Sequence, residues 1–264
     1  VTDVPALEQV LLTVDSHVAM ITLNRPDQRN PLSAGMLRDL LTAFGWCQHE
    51  DDVRVVVLTG AGNRAFCAGA DLASFDADAP ELERHHGRQA FVELFALMAS
   101  IGKPIVGRIN GHALAGGLGL AVSCDLIVAV DTATFGTPEV NVGIWPMMIQ
   151  AVLSRNVPRK VLLEMVMLGD RWTATQMQSY GVVNRVVPVH ELDASVADIT
   201  EKLVKKSPAV MRLGKDSFYR QQDMEFRAAL DYLQSQVTLV TLTEDSKEGV
   251  RAFFEKREPD FKGK

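Results

Sequence analysis

A chain of 264 residues is long enough for one large domain or two small ones. With 47% hydrophobic and 23% charged residues it has the composition of a globular protein that buries a sizeable core. Its net charge of −6 argues against nucleic acid or an anionic membrane as the main partner.

In chain order, the opening stretch VTDVPALEQV carries acids and no basic run, so no secretory leader is expected. VAMITL (18–23) is a short apolar run bounded by turn residues, as are VRVVVLTG (53–60), PIVGRI (104–109) and DLIVAV (125–130). All four read as buried strands. Between them lie helical patterns. Leu37, Leu40, Leu41 and Phe44 follow helical spacing behind Ser33 as N-cap, and Phe91, Leu94, Phe95 and Met98 repeat that spacing. Strands alternating with helices predict an α/β architecture.

After residue 150 the pattern changes. Pro158 opens a helix that Gly169 closes, and Thr173 with Gln176 forms a capping box for another, closed at Gly181. Beyond VVNRVVP (182–188) the chain reads as helix only. The expected organisation is an α/β core over 1–190 and a helical region over 191–264, ending with Val250, Phe253 and Phe254 on one stripe. The longest weakly charged run, His112 to Val130, holds three glycines and Asp125 and falls short of a membrane span. Cys47, Cys67 and Cys124 lack metal-ligand spacing and read as reduced thiols of a cytoplasmic protein, with no metal site.

GHALAGGLGLAVSCDL (111–126) places Gly116, Gly117 and Gly119 in an apolar run, although each interior helical Gly costs about 1 kcal/mol against Ala. A dinucleotide fingerprint fits poorly: its third position is Val122, and residues 110–114 separate the glycines from the preceding predicted strand. Two readings of the glycines stand on spacing alone. Either a ligand atom approaches bare backbone N–H groups at a helix start, where an oxyanion is stabilised, or helix and strand pack closely. AFCAGADL (65–72) has the same small-residue character, so two loops can each offer one N–H to a single carbonyl oxygen.

AFCAGADL, GKPIVGRINGHALAGGLGLAVSCDLIVA, FGTPEVNVGIWP and GVVNRVVP, with ITLNRPDQRNPLS near the start and EDSKEGVRAFFEKREPDF near the end, resemble the enoyl-CoA hydratase/isomerase family, the crotonase superfamily. The resemblance implies an α/β spiral of β-β-α turns with a C-terminal helical region and assembly as homotrimers or homohexamers. It also implies an acyl-CoA thioester as substrate, with coenzyme A arriving as part of it and no separate cofactor. The family's two oxyanion donors map onto the backbone N–H groups of Ala70 and Gly116, in loops that include Ala68, Asp71, Leu72 and Gly117.

Hydratases of the family use two glutamates. The first maps onto Gly119 and is absent; the second maps onto Glu139, after Pro138, and is present. An Asp that some relatives carry after a later Pro is Met147 here. One desolvated glutamate with a raised pKa can take a proton from one carbon and return it two carbons away, so 3-enoyl to 2-enoyl isomerisation is favoured over hydration. Gly119→Glu is expected to restore hydration where the helix accepts the side chain. Keeping the pocket without the chemistry gives the alternative, an acyl-CoA-binding protein.

Arg25 and Arg29, in the NRPDQRNP loop, are candidates for the phosphates of coenzyme A, with Lys256 and Lys262 from a neighbouring subunit. Asp71 is read as orienting its loop, Trp145 as a pocket wall or a core residue, Cys67 as packing and His112 as a local hydrogen-bond partner. His85 and His86, in the charged stretch ELERHHGRQ (81–89), read as solvated, and that stretch, which follows SFDADAPE, reads as a mobile pocket lid.

Overall fold

The structure, a computed structural model, describes residues 3–71 and 80–264. The chain starts with a hairpin of β1 (Val10–Asp15) and β2 (Val18–Leu23), followed by α1 (Ala34–His49) and β3 (Val55–Gly60). Ser33 caps α1 as the sequence predicts, its hydroxyl accepting the Met36 N–H at 3.1 Å. β3 is buried along its whole length. That explains its unbroken apolar run, since a parallel strand covered on both faces has no polar side to alternate with.

From β3 onward the chain repeats one unit. β3 is followed by β4 (Ala65–Cys67) and then, past residues 72–79, by α2 (Glu81–Gly87) and α3 (Gln89–Ser100). β5 (Ile105–Ile109) and β6 (His112–Leu114) precede α4 (Gly116–Val122). β7 (Leu126–Val130) and β8 (Thr134–Gly136) precede α5 (Met147–Asn156) and α6 (Arg159–Leu168). Each turn gives its first strand to one sheet, ordered β1-β2-β3-β5-β7-β10, and its second to another, ordered β4-β6-β8-β9. This is the expected spiral of β-β-α turns. β9 (Arg171–Thr173), α7 (Ala174–Ser179) and β10 (Arg185–Val187) close it, with the capping box of Thr173 and Gln176 formed and Gly169 left-handed at φ +69° after α6.

One expectation is corrected. Residues 112–114 are themselves a strand, so Gly116 follows β6 after a single residue, Ala115. The sequence reading took 110–114 for a connection because a three-residue strand is too short to show alternation.

Four helices follow β10: α8 (Leu192–Val204), α9 (Pro208–Gln221), α10 (Phe226–Leu242) and α11 (Glu244–Glu255). α8 buries Leu192, Val196 and Ile199 in the central core. A buried ion pair fastens α9: Lys215 Nζ lies 2.5 Å from Asp125 Oδ2, and Tyr219 donates to Asp125 Oδ1 at 2.8 Å. α10 and α11 bury little apolar surface beyond Ala229 and Ala252, while Phe226, Leu242, Phe253 and Phe254 are 64–78% exposed. Among the described residues no helix is long and apolar enough to cross a membrane.

Candidate active site

β4, β6 and β8 run parallel and adjacent, with Cys67 opposite Ala113 and Leu114 opposite Gly136. The segments leaving their C-terminal ends therefore emerge side by side. These are Ala68–Asp71 after β4, Ala115–Gly116 after β6 and Thr137–Glu139 after β8. The C-terminal ends of parallel strands are where open α/β sheets place their ligands.

Two amide groups meet there. A Cβ built on Gly116 would stand 3.7 Å from the Ala70 nitrogen, and one built on Gly69 would stand 3.3 Å from the Gly116 nitrogen. Among the described residues neither the Ala70 nor the Gly116 N–H donates to a backbone carbonyl. Gly116 is the first residue of α4, where no intrahelical acceptor exists. Both residues are partly exposed. Gly69, at φ +102°, supplies the left-handed turn that sets the Ala70 peptide, and Ala115 sits at φ 51° and ψ −129°. That conformation costs a non-glycine residue about 1–3 kcal/mol and is the kind of strain held at functional sites.

The three glycines of α4 differ. Gly116 is the least crowded of the three: the nearest atoms to its hypothetical Cβ are Leu32 Cδ1 at 3.3 Å, the end of a side chain, Phe91 Cε1 at 3.6 Å and the Ala70 nitrogen at 3.7 Å. Gly117 and Gly119 are buried. A Cβ on Gly117 would fall 2.3 Å from the Cys67 carbonyl oxygen, and one on Gly119 would fall 2.3 Å from Ile149 Cγ2 and 3.3 Å from Phe95 Cζ. Of the two readings that the sequence leaves open, close packing therefore accounts for Gly117 and Gly119, both candidates for substrate contact, and ligand approach is left to Gly116. Gly116 alone of the three would place a Cβ no nearer than 3.3 Å to another atom.

Glu139 lies in a 3₁₀ turn, Pro138–Val142, that Pro138 starts and Gly143 ends in the left-handed region at φ +75°. The buried Thr137 hydroxyl anchors it by donating to the Met165 carbonyl at 3.0 Å, and the Glu139 carbonyl accepts the Ile144 N–H at 3.0 Å. The side chain is partly buried, and its Oε2 is buried with no hydrogen-bond partner among the described residues. Burial pushes its pKa above the usual carboxylate value, partly offset by its own backbone N–H. A partly desolvated carboxyl with one oxygen lacking a partner is suited to taking and returning a proton.

Other expected residues are placed as follows. Ala68 is partly buried, and its N–H donates to the Arg29 carbonyl at 3.0 Å. Arg25, expected at the phosphates, instead pairs with Asp71 at 3.0 Å and also donates to Gln28. The carboxylate that meets it lies 46 residues away in sequence, so the pair ties the loop of Arg25 to that of Asp71. Arg29 is exposed, in the left-handed region at φ 64°. Trp145 is partly buried against the core and donates to Gln150 at 2.6 Å. His112 bonds Thr134 Oγ1 at 2.9 Å, and burial, then Arg171 and Arg29, lower its pKa. Cys67 is buried, its thiol pushed up to about 12 by desolvation, and all three cysteines are free. Leu72 lies outside the described residues, whereas the stretch expected as a lid, 81–89, forms α2 and the start of α3, with His85 and His86 exposed. No cluster of metal-ligating side chains occurs among the described residues. Sequence reasoning missed Asn30, Leu32, Phe91 and Ile149; the last three carry no signal beyond apolar character. A separate cleft of about 660 Å³ between the β1–β2 hairpin and α8 shares no residue with this site, and its Arg108 is already paired with Asp193 at 2.7 Å.

Fold and site together define an α/β spiral with two unpaired amides and one desolvated carboxyl at the ends of three adjacent strands. The model of the enoyl-CoA hydratase/isomerase family matches residues 13–264. Over 98% of its length the chain is 32% identical to the 2,3-dehydroadipyl-CoA hydratase of Escherichia coli, covering 100% of that protein. It is also 32% identical to the short-chain-enoyl-CoA hydratase of Clostridium acetobutylicum, over 95% of this chain and 96% of that one. An enoyl-CoA hydratase crystal structure from Mycobacterium smegmatis superposes with a TM-score of 0.93 at 34% identity, over 96% of this chain and 99% of that one. The chain belongs to the enoyl-CoA hydratase/isomerase family of acyl-CoA enzymes and has the crotonase fold.

Proposed function

We propose that the chain shifts the double bond of a 3-enoyl-CoA to the 2-position, with the thioester oxygen held by the N–H groups of Ala70 and Gly116. In this reading the Glu139 carboxylate removes a proton from C2. The electron pair moves into a dienolate whose oxygen takes the two N–H bonds, and protonated Glu139 returns the proton to C4. Each such donor contributes about 3–4 kcal/mol of transition-state stabilisation. Atoms and charge balance without a separate cofactor, and coenzyme A enters as part of the substrate. Arg29 is the cation left for its phosphates in the loop where Arg25 is paired with Asp71, with Lys256 and Lys262 as contributors from a neighbouring subunit.

The observation that carries the preference for isomerisation is the buried Gly119, whose Cβ position is filled by Ile149. No second carboxylate can stand there to activate water, while a 1,3-proton shuttle needs only one. Hydration is the second reading, favoured by the names of the relatives. The exposed aromatic stripe of α10 and α11 supports assembly as a trimer or hexamer through the helical region, 191–264, and the three buried free thiols support a cytoplasmic setting.

Incubation with 3-enoyl-CoA and, separately, 2-enoyl-CoA tests the proposal by chromatography of the products. Conversion of 3-enoyl to 2-enoyl faster than formation of 3-hydroxyacyl-CoA supports it. Exclusive formation of the 3-hydroxy product selects the second reading. Binding without turnover of either substrate leaves an acyl-CoA-binding protein.

A further inference from the structure

Asn30 has no solvent exposure, and its backbone is left-handed at φ 53°, a conformation that Asn tolerates better than most residues. Its Oδ1 accepts the Arg25 N–H at 2.9 Å, while its own N–H donates to the Arg25 carbonyl at 2.9 Å. These reciprocal bonds close residues 25–30 into one rigid turn. The side-chain Nδ2 then faces three carbonyls across the fold: Ala61 at 3.0 Å, Ala65 at 3.1 Å and Phe66 at 3.2 Å. Gly60 gives it room, because a Cβ there would fall 2.8 Å from Nδ2 and 2.4 Å from the Phe66 oxygen.

The same turn grips the residues that follow. The Arg29 carbonyl accepts the Ala68 N–H at 3.0 Å, Leu32 donates to the Gly69 carbonyl at 2.7 Å, and the Leu32 carbonyl accepts the Asp71 N–H at 3.2 Å. The chain on both sides of Ala70 is thereby held, and the Ala70 N–H is left out of the ladder. Gly116, in contrast, is fixed by β6 and β8 through the bond from the Ala115 N–H to the Gly136 carbonyl, at 2.9 Å. The separation of the two amides therefore depends on how the segment 65–71 is held against residues 29–32, and Asn30 is the one side chain of that turn buried in the joint.

We propose that Asn30 is a positioning residue that holds the Ala70 amide in register with the Gly116 amide, so that both reach one thioester oxygen. The assignment rests on the two-amide reading given above. Asn30 touches no substrate; it acts through the segment ending at Ala70. Removing its amide takes two N–H donors from the three carbonyls they face, and the segment relaxes away from its place beside Gly116.

The test uses an aromatic enoyl-CoA whose ultraviolet band moves to longer wavelength when its carbonyl is polarised, together with steady-state kinetics and thermal melting. Wild type should shift the band. Asn30→Ala should lose most of the shift, with kcat down about 10–100-fold and KM changed by less than about threefold. Val128→Ala, a core change in β7, should lower the melting temperature yet keep the band shift. Retention of full shift and kcat by Asn30→Ala, with only a lower melting temperature, overturns the proposal. If Asn30→Ala does not fold, Asn30→Asp decides. Its carboxylate keeps the acceptor for Arg25 but cannot donate, and its protonated form can donate once, so the shift should be weak at neutral pH and grow as pH falls. A wild-type shift from Asn30→Asp at neutral pH overturns the assignment. Absence of a shift in wild type itself overturns the two-amide reading and the Asn30 assignment with it.

Discussion

Replacing each glycine of α4 by alanine in turn separates the chemistry of this helix from its packing. At Gly116 the new methyl meets no atom closer than Leu32 Cδ1 at 3.3 Å, a side-chain end that needs to give by only a few tenths of an ångström, and Ala improves helix propensity by up to about 1 kcal/mol. The same methyl stands 3.7 Å from the Ala70 nitrogen and shields that N–H from a ligand. Losing one such donor corresponds to about 10²–10³ in turnover. At Gly117 the methyl would lie 2.3 Å from the Cys67 carbonyl oxygen, and backbone has to move to admit it. Overpacking of that kind costs about 1–3 kcal/mol or more, which for a chain of this size lowers the melting temperature by roughly 2–12 °C. Gly119→Ala would set a methyl 2.3 Å from Cγ2 and 2.8 Å from Cβ of Ile149, a buried β-branched side chain, so it too should lose stability. Differential scanning calorimetry and kcat per folded molecule read the two effects separately. Gly116→Ala should be stable and slow. Gly116→Ala that melts as early as Gly117→Ala while keeping wild-type turnover refutes the assignment of Gly116 to the site.

Glu139→Gln keeps size and hydrogen bonding but removes the base, so acyl-CoA affinity should hold while kcat falls about 10²–10⁴-fold; full activity on every enoyl-CoA tried would place the chemistry elsewhere. Because burial raises the folded-state pKa of Glu139 above the unfolded value, the native state binds that proton more tightly. Wild type therefore loses stability as pH rises from the ordinary glutamate value through the raised one. Glu139→Gln should melt higher than wild type above that window and equal it below, as melting curves across pH will show, and wild-type kcat should fall as pH drops through the raised value. Gly119→Glu alone should be strongly destabilised, whereas pairing it with Ile149→Gly opens the space and should raise hydration of 2-enoyl-CoA relative to isomerisation; a well-folded single variant contradicts the packing account. Phe253→Ser with Phe254→Ser should shift the protein toward monomer in light scattering, and an unchanged mass would remove α11 from the interface.

The sequence by itself determined those features whose cause is local. Ser33 and Thr173 cap their helices through bonds to residues three positions on, and Gly169 ends α6 in the left-handed region. β3, β5 and β7 were legible because burial on both faces writes a nearly continuous apolar run, whereas VAMITL, expected to be buried, forms β2 with only one face covered and Met20 exposed. β4, β6, β8 and β9, of three residues each, were not legible, since their pairing comes from neighbours far along the chain. The motifs pointed to Ala70, Gly116 and Glu139, and the parallel order of β4, β6 and β8 then brought them to one end of a sheet. Only tertiary structure distinguished three glycines that look alike in sequence, because what differs is the atom waiting where each Cβ would be: a side-chain end 3.3 Å away at Gly116, a backbone carbonyl at 2.3 Å at Gly117, Ile149 at 2.3 Å at Gly119. Likewise, whether Arg25 meets a phosphate or a carboxylate depends on Asp71 approaching from 46 residues away. Asn30 reads in sequence as an ordinary turn residue, and only the folded chain sets three carbonyls against its amide.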